Sequence, residues 1–119
     1  MARRAGNVAL VIVTCANEDQ AAAISRSLVS ERLAACVNLI GPIRSIYRWR
    51  DKIEDDREVL LLIKTRATLV GRLERRIREL HTYEVPEVMA LRFHEGSGAY
   101  LAWLLEATAT EKGRRRARR

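Results

Sequence analysis

The side chains in this 119-residue chain best suited to hold a metal are two histidines, two cysteines and one acidic stretch. His81 is the leading candidate, with Tyr83, Glu84 and Glu87 close behind it in sequence. A neutral imidazole is the commonest protein ligand for copper or zinc. The plainer role for His81 is to cap a helix C-terminus or bond a neighbouring carboxylate. Cys15 and Cys36 are soft donors suited to Cu(I). In an apolar strand, however, a free cysteine usually behaves as a small hydrophobe. Glu54, Asp55, Asp56 and Glu58 would attract a hard cation but lack the spacing and glycine of a calcium loop. A solvated strand edge, with its carboxylates paired to Arg48, Arg50 or Arg57, explains them as well. His94 and Glu95 read as a surface turn.

No catalytic constellation accompanies these residues. The sequence has no Gly-x-Ser-x-Gly, no phosphate-cradling glycine loop and no His-Glu-x-x-His. The expectation is a protein that is not an enzyme.

The elements that must position these residues follow from periodicity. Val8 to Thr14 is a nearly continuous apolar run, as expected of a central strand covered on both faces. Asn17 offers an N-cap and Gln20 completes a capping box. Glu18 and Asp19 suit the first turn of the helix that follows. Ala21, Ile24, Leu28 and Val29 form one stripe, so residues 18–32 read as an amphipathic helix. A strand begins at Cys36, is interrupted by a bend or bulge at Gly41-Pro42, and resumes from Ile43 to Trp49; the proline implies a sheet edge. A turn at 50–52 returns the chain as a strand from Ile53 to Thr65. Leu69, Val70, Leu73, Ile77 and Leu80 give a second helical stripe, with Thr68 as its cap. Val88 to Phe93 is a fourth strand. Ser97 opens a last helix whose Tyr100, Leu101, Leu104 and Leu105 face inward.

The order β-α-β-β-α-β plus a terminal helix predicts an α+β, ferredoxin-like fold. Its hairpin is too long for one body. At about 3.3 Å per residue the strand 53–65 spans about 43 Å, whereas a 100-residue domain has a radius of gyration of about 13 Å. The hairpin therefore protrudes, and another subunit is the simplest cover for it and for the sheet face the helices leave bare. Tyr47, Trp49 and Ile53 are the expected contact residues, since interfaces favour Trp and Tyr.

Composition limits the remaining choices. Apolar residues make up 48% of the chain, which suffices for one core. The net charge of +7 resides in the two ends: residues 110–119 contribute +5 and Arg3 with Arg4 add +2. Residues 1–7 read as a flexible N-terminus, 8–109 as the domain and 110–119 as a basic, disordered tail. The neutral body argues against a specific nucleic-acid partner. No apolar run reaches the roughly 20 residues of a membrane span. The N-terminus does not read as a signal peptide. Two cysteines outside any disulfide framework fit a reducing cytoplasm.

Four blocks together resemble the CutA family of divalent-cation tolerance proteins. They are Glu31-Arg-Leu-Ala-Ala-Cys-Val-Asn38, Ser45-Ile-Tyr-Arg-Trp49, the stretch from Lys52 to Thr65, and His81-Thr-Tyr-Glu-Val-Pro-Glu87. Tyr100-Leu-Ala-Trp103 fits the family's last helix, so the likeness covers about residues 8–107. The resemblance implies a homotrimer in which the long hairpins pair with neighbouring sheets. It also implies Cu(II) or another divalent cation as the bound species. The family's copper ligands are the histidine of a His-Pro-Tyr stretch, the residue before it and a first-strand cysteine. His81 matches the first. Thr82 replaces the proline, Leu80 occupies the preceding position and Val13 the cysteine position. Cys15, two residues on, shares the strand face of Val13. The metal set carried over is therefore His81 and Cys15.

Two other classes share the architecture. A trimer resembling PII-type sensors would take a small anion or nucleotide between subunits, at Lys64, Arg66, Tyr83 and Glu84. An RNA-recognition module would stack bases on aromatics in its middle strands, and Glu58-Val-Leu-Leu-Leu-Ile63 carries none.

Overall fold

The computed structural model describes residues 1–110. Their order is β1 (Ala2–Arg4), β2 (Val8–Cys15), α1 (Glu18–Ser30), β3 (Cys36–Trp49), β4 (Lys52–Arg66), α2 (Val70–Leu80), β5 (Met89–Arg92), β6 (Glu95–Ser97) and α3 (Gly98–Ala107). The proposed basic tail lies outside the described residues, save Thr110.

The apolar run of β2 lies inside a four-stranded antiparallel sheet of order β3-β4-β2-β5. This is the ferredoxin-like arrangement expected from the element order. One sheet face carries Val11, Val13 and Cys15 from β2 and Val59, Leu61 and Ile63 from β4. Ala21, Ile24 and Leu28 of α1 and Leu73 and Ile77 of α2 pack on it, forming the main core. α1 starts as its sequence requires. Asn17 Oδ1 accepts the Gln20 N–H at 2.9 Å, and Gln20 Oε1 accepts the Ala16 N–H at 3.2 Å. α2 does not start at a Thr68 cap. Residues Ala67–Leu69 form a 3-10 turn that runs into the helix, and no side chain caps it.

The opposite face is only partly covered. Residues directly opposite in an antiparallel pair share a face, so the pairs Leu10–Leu91 and Ile12–Met89 join Leu60 and Leu62 on one apolar surface. α3 covers one end, where Leu104 meets Val8, Ala5 and Ala35. Met89 and Leu91 stay 63% and 57% exposed. Tyr100 was expected to face inward; it lies exposed with Trp103, ring centroids 5.3 Å apart. No basic residue occupies the last turn of α3. Arginines from elsewhere supply the missing cations. Arg66 donates to Leu105 O and Thr108 Oγ1, and Arg32 donates to Ala107 O at 3.1 Å.

The chain before β2 is ordered. β1 pairs antiparallel with β6, and Ala5 is fully buried with its N–H donated to His94 O at 2.9 Å. Residues 1–7, read from sequence as flexible, thus include a strand. Two of its three residues are arginines, so the short Ala2–Arg4 segment has no apolar periodicity to announce it.

β3 and β4 are 14 and 15 residues long and set the molecule's dimensions of 56 × 28 × 21 Å. Arg50 and Asp51 form the two-residue tip, both with positive φ, matching the right-handed twist of the strands. The register shifts between Ile40 and Ile43, where the bulge was expected, and the Gly41–Pro42 peptide is cis. Gly41 approaches β4 closely. A Cβ there would sit 3.1 Å from Val59 Cγ2.

Arg66→Ala should loosen α3 without unfolding the sheet. Hydrogen bonds to a charged group contribute about 1.5–3 kcal/mol. Amide exchange should therefore accelerate across residues 98–107 while β2 and β4 stay protected.

Candidate functional site

The loop between α2 and β5 builds the site, and His81 fixes that loop. The His81 N–H continues α2 by donating to Ile77 O at 2.8 Å. Its ring then turns back to the sheet. The Tyr83 N–H donates to Nδ1 at 3.0 Å, so Nδ1 carries no proton. The ring proton is therefore on Nε2, which donates to Thr14 O at 2.7 Å. His81 is buried, with both nitrogens engaged. Its ring lies 4.6 Å from that of Tyr83. Thr82 ties the loop to α1 by accepting the Gln20 side-chain N–H at 2.6 Å.

Cys15 follows Thr14 on β2 and is fully buried in the main core. Burial, followed by the charge of Glu58, pushes its thiol up from 9.0 to about 11. A thiol must lose its proton to ligate or attack, so at neutral pH Cys15 behaves as core. Cys36 is half-buried, with its sulfur 3.8 Å from Asn38 Oδ1. Among the described residues no group of three or more His, Cys, Asp and Glu side chains is arranged to hold a metal ion.

Tyr83 carries the loop across to β4. Its hydroxyl donates to Glu58 Oε2 at 2.9 Å. Glu58 is only 7% exposed. Desolvation, with Glu58 next, raises the Tyr83 phenol well above its usual value. Two residues nearer the hairpin tip than Glu58, Asp56 Oδ2 accepts the Tyr47 hydroxyl proton at 2.5 Å. That bond is the main cause raising the Tyr47 phenol to about 12. Register places Tyr47, Trp49, Asp56 and Glu58 on one hairpin face. Tyr47, Trp49 and Glu58, together with Tyr83, Glu84 and Glu87, line an open cleft of about 770 Å³, within the size range of small-ligand sites.

The acidic stretch is paired differently from the sequence expectation. Arg44 donates two bonds to Asp55, at 2.9 and 2.6 Å, and Arg50 reaches out of the hairpin to Glu84 at 2.6 Å. His94 and Glu95 contact each other at 3.2 Å on the surface, with Glu95 opening β6 rather than lying in a turn. The four residues proposed for an anion site divide into two groups within the chain. Tyr83 and Glu84 line the cleft. Lys64 instead sits 5.9 Å from the Tyr100 ring, and Arg66 holds the end of α3. Lys64 is six residues from Glu58 along β4, roughly 20 Å at strand spacing. Sequence reasoning placed Glu58 only within an acidic edge. The signal for its burial was its alternation with Leu60 and Leu62.

A ferredoxin-like sheet with α1 and α2 on one face and α3 at one end of the other, an overhanging hairpin and a histidine-anchored loop define an α+β protein of the ferredoxin-like class. The family model of the CutA1 divalent ion tolerance protein matches residues 9–107. The chain belongs to that family. It is 50% identical over 103 residues to Protein CutA of Mus musculus, covering 87% of this chain and 58% of that protein. The chain thus spans little more than half the length of that relative. It is 46% identical over 99 residues to the divalent-cation tolerance protein CutA of Thermus thermophilus, covering 83% of this chain and 96% of that one. The crystal structure of CutA from Xylella fastidiosa superposes with a TM-score of 0.84 at 42% identity, covering 87% of this chain and 99% of that chain.

Two outcomes test this description. His81→Ala should leave Tyr83 N–H and Thr14 O without partners, at about 1–3 kcal/mol each. The denaturation midpoint at fixed protein concentration should fall by a corresponding amount. For Cys15 the folded thiol titrates near 11 against 9.0 in the unfolded chain. The folded state therefore keeps its proton longer, and stability drops as pH rises from 9 to 11. Cys15→Ala should flatten that part of the stability profile relative to its own value at pH 7.

Proposed function

We propose that this chain supports divalent-cation tolerance as a homotrimer that catalyses no reaction. The observation that carries the assembly is the bare apolar surface. Met89 and Leu91 on β5, Ile46 and Ile53 on the hairpin, and Tyr100 and Trp103 on α3 are all exposed. By register Ile46 and Ile53 lie on the other sheet face from Met89 and Leu91, so both faces expose apolar side chains, and apolar patches of that kind on a small domain mark protein contacts. The protruding hairpin gives each copy an arm to lay on its neighbour, with Tyr47, Trp49 and Ile53 as contact residues. The family match supports the tolerance role. The two free thiols fit a reducing compartment such as the cytoplasm.

A second reading places Cu(II) or another divalent cation at His81 with Cys15. It is favoured by the approach of the His81 ring to the strand end that carries Cys15. Binding there would require one imidazole nitrogen to give up its backbone partner and the thiol to lose its proton. That reading therefore expects copper binding that strengthens with pH and loosens the loop.

Sedimentation velocity of the wild type should give three times the monomer mass. Ile46→Asp with Ile53→Asp should shift it to monomer; an unchanged wild-type monomer would refute the assembly. Cu(II) titration against a competing chelator should give similar weak binding in wild type and His81→Ala. Tight binding lost in His81→Ala would establish the second reading instead.

A further inference from the structure

We propose that Glu58 is one half of an ion pair between subunits, its cation being Lys52 at the hairpin tip of a second copy of this chain. The proposal rests on the homotrimer reading and adds to it the residue pair that aligns neighbouring copies.

Glu58 is buried, yet none of the ion pairs among the described residues includes it or Lys52. The Tyr83 hydroxyl gives the carboxylate its one hydrogen bond among the described residues, at Oε2. A buried carboxylate without a cation is costly, and native proteins normally pair it. The same chain is poorly placed to supply that cation. Lys52 and Lys64 each lie six residues away along β4, in opposite directions, roughly 20 Å at strand spacing. Arg44 is committed to Asp55 and Arg50 to Glu84. Arg57, next in sequence, points to the other face by register.

Register shows why a second copy fits. On the face that carries Tyr47 and Trp49, β4 changes sign along its length, with Lys52 at the tip and Glu54, Asp56 and Glu58 toward the body. Lys52 is exposed and lies directly opposite Trp49, one of the contact residues of the arm. Arg48, paired with Ile53, belongs to the other hairpin face. A closed ring of three copies is built from a head-to-tail contact, which joins two different patches of the same chain. This chain carries both. Its tip offers an aromatic ring and an unpaired cation; the base of its hairpin offers a buried carboxylate with Glu87 on the same cleft wall. When the tip of one copy lies over the base of the next, Lys52 of the partner subunit meets Glu58. Charge complementarity then fixes the register of the contact, and closing the ring compensates every buried Glu58.

Sedimentation velocity of the full-length protein over a dilution series reads the association directly. Lys52→Gln and Glu58→Gln should each raise the concentration of half-dissociation at least tenfold, since breaking one side of a desolvated pair is costly. The double variant should be hardly weaker than either single, as expected of two residues that act only through each other. Glu58→Lys and Lys52→Glu should each dissociate the assembly, and combining them in one chain should recover association, which separates the ion pair from a folding defect at Glu58. Arg48→Gln, on the other hairpin face, should leave association within about threefold of wild type. A trimer indifferent to Lys52→Gln, or losses that simply add in the double variant, would overturn the ion pair and leave the homotrimer standing. A monomeric wild type would overturn both.

Discussion

One strand has to serve two environments, and most of the architecture follows from that. β4 runs 15 residues, pairing β2 over its C-terminal half and β3 along nearly its whole length. Its C-terminal half alternates Val59, Leu61 and Ile63 into the helix-covered core. Its N-terminal half has only β3 beside it and carries Glu54, Asp55 and Asp56. A two-stranded ribbon is marginal in water. The tip is held by its own cross-strand bonds and by Arg50, which ties it to Glu84 of the 81–88 loop. The same geometry makes association an economical solution. An arm that cannot bury itself gains most by lying on another copy's bare sheet face.

Glu58 occupies the junction between the halves. It pairs with Ile43, just past the register shift at Gly41–Pro42, and alternates with Leu60 and Leu62. On pattern alone the position belongs to an apolar residue. A carboxylate there is a local conflict of the kind natural proteins keep at functional sites. Tyr83 meets it from the loop, and the loop is in place because His81 holds Thr14 and Thr82 holds Gln20. The cleft is thus positioned from three directions: the bulged hairpin, the end of β2 and the start of α1.

Local periodicity made most of the fold legible. The β2 run, the α1 and α2 stripes and the Gly41-Pro42 break each carry a signal within a few residues, and the structure places each accordingly. What was hidden depends on distant partners. Ala2–Arg4 becomes a strand only because Glu95–Ser97 lies beside it, 95 residues away at the register pair Ala2–Ser97. Thr68 resembles a cap, but the chain leaving β4 tightens into a 3-10 turn and needs none. The acidic edge suggested neighbouring arginines, whereas Arg44 reaches Asp55 across the hairpin. Spacing could nominate His81, but it could not show that Thr14 and Tyr83 occupy both ring nitrogens.

That double engagement bears on the departures from the family's ligand pattern. A metal would hold the loop to β2 by bonding the imidazole and a strand thiolate. Here backbone groups make the same connection. The Thr14 carbonyl takes the Nε2 proton and the Tyr83 amide fills the Nδ1 lone pair. Leu80 packs against the core where the pattern has a ligand. Val13 lies within that core, and Thr82 supplies an acceptor for Gln20 where the pattern has proline. Each departure replaces a coordinating or rigid residue with one that packs or hydrogen-bonds. The loop's position therefore requires no ion.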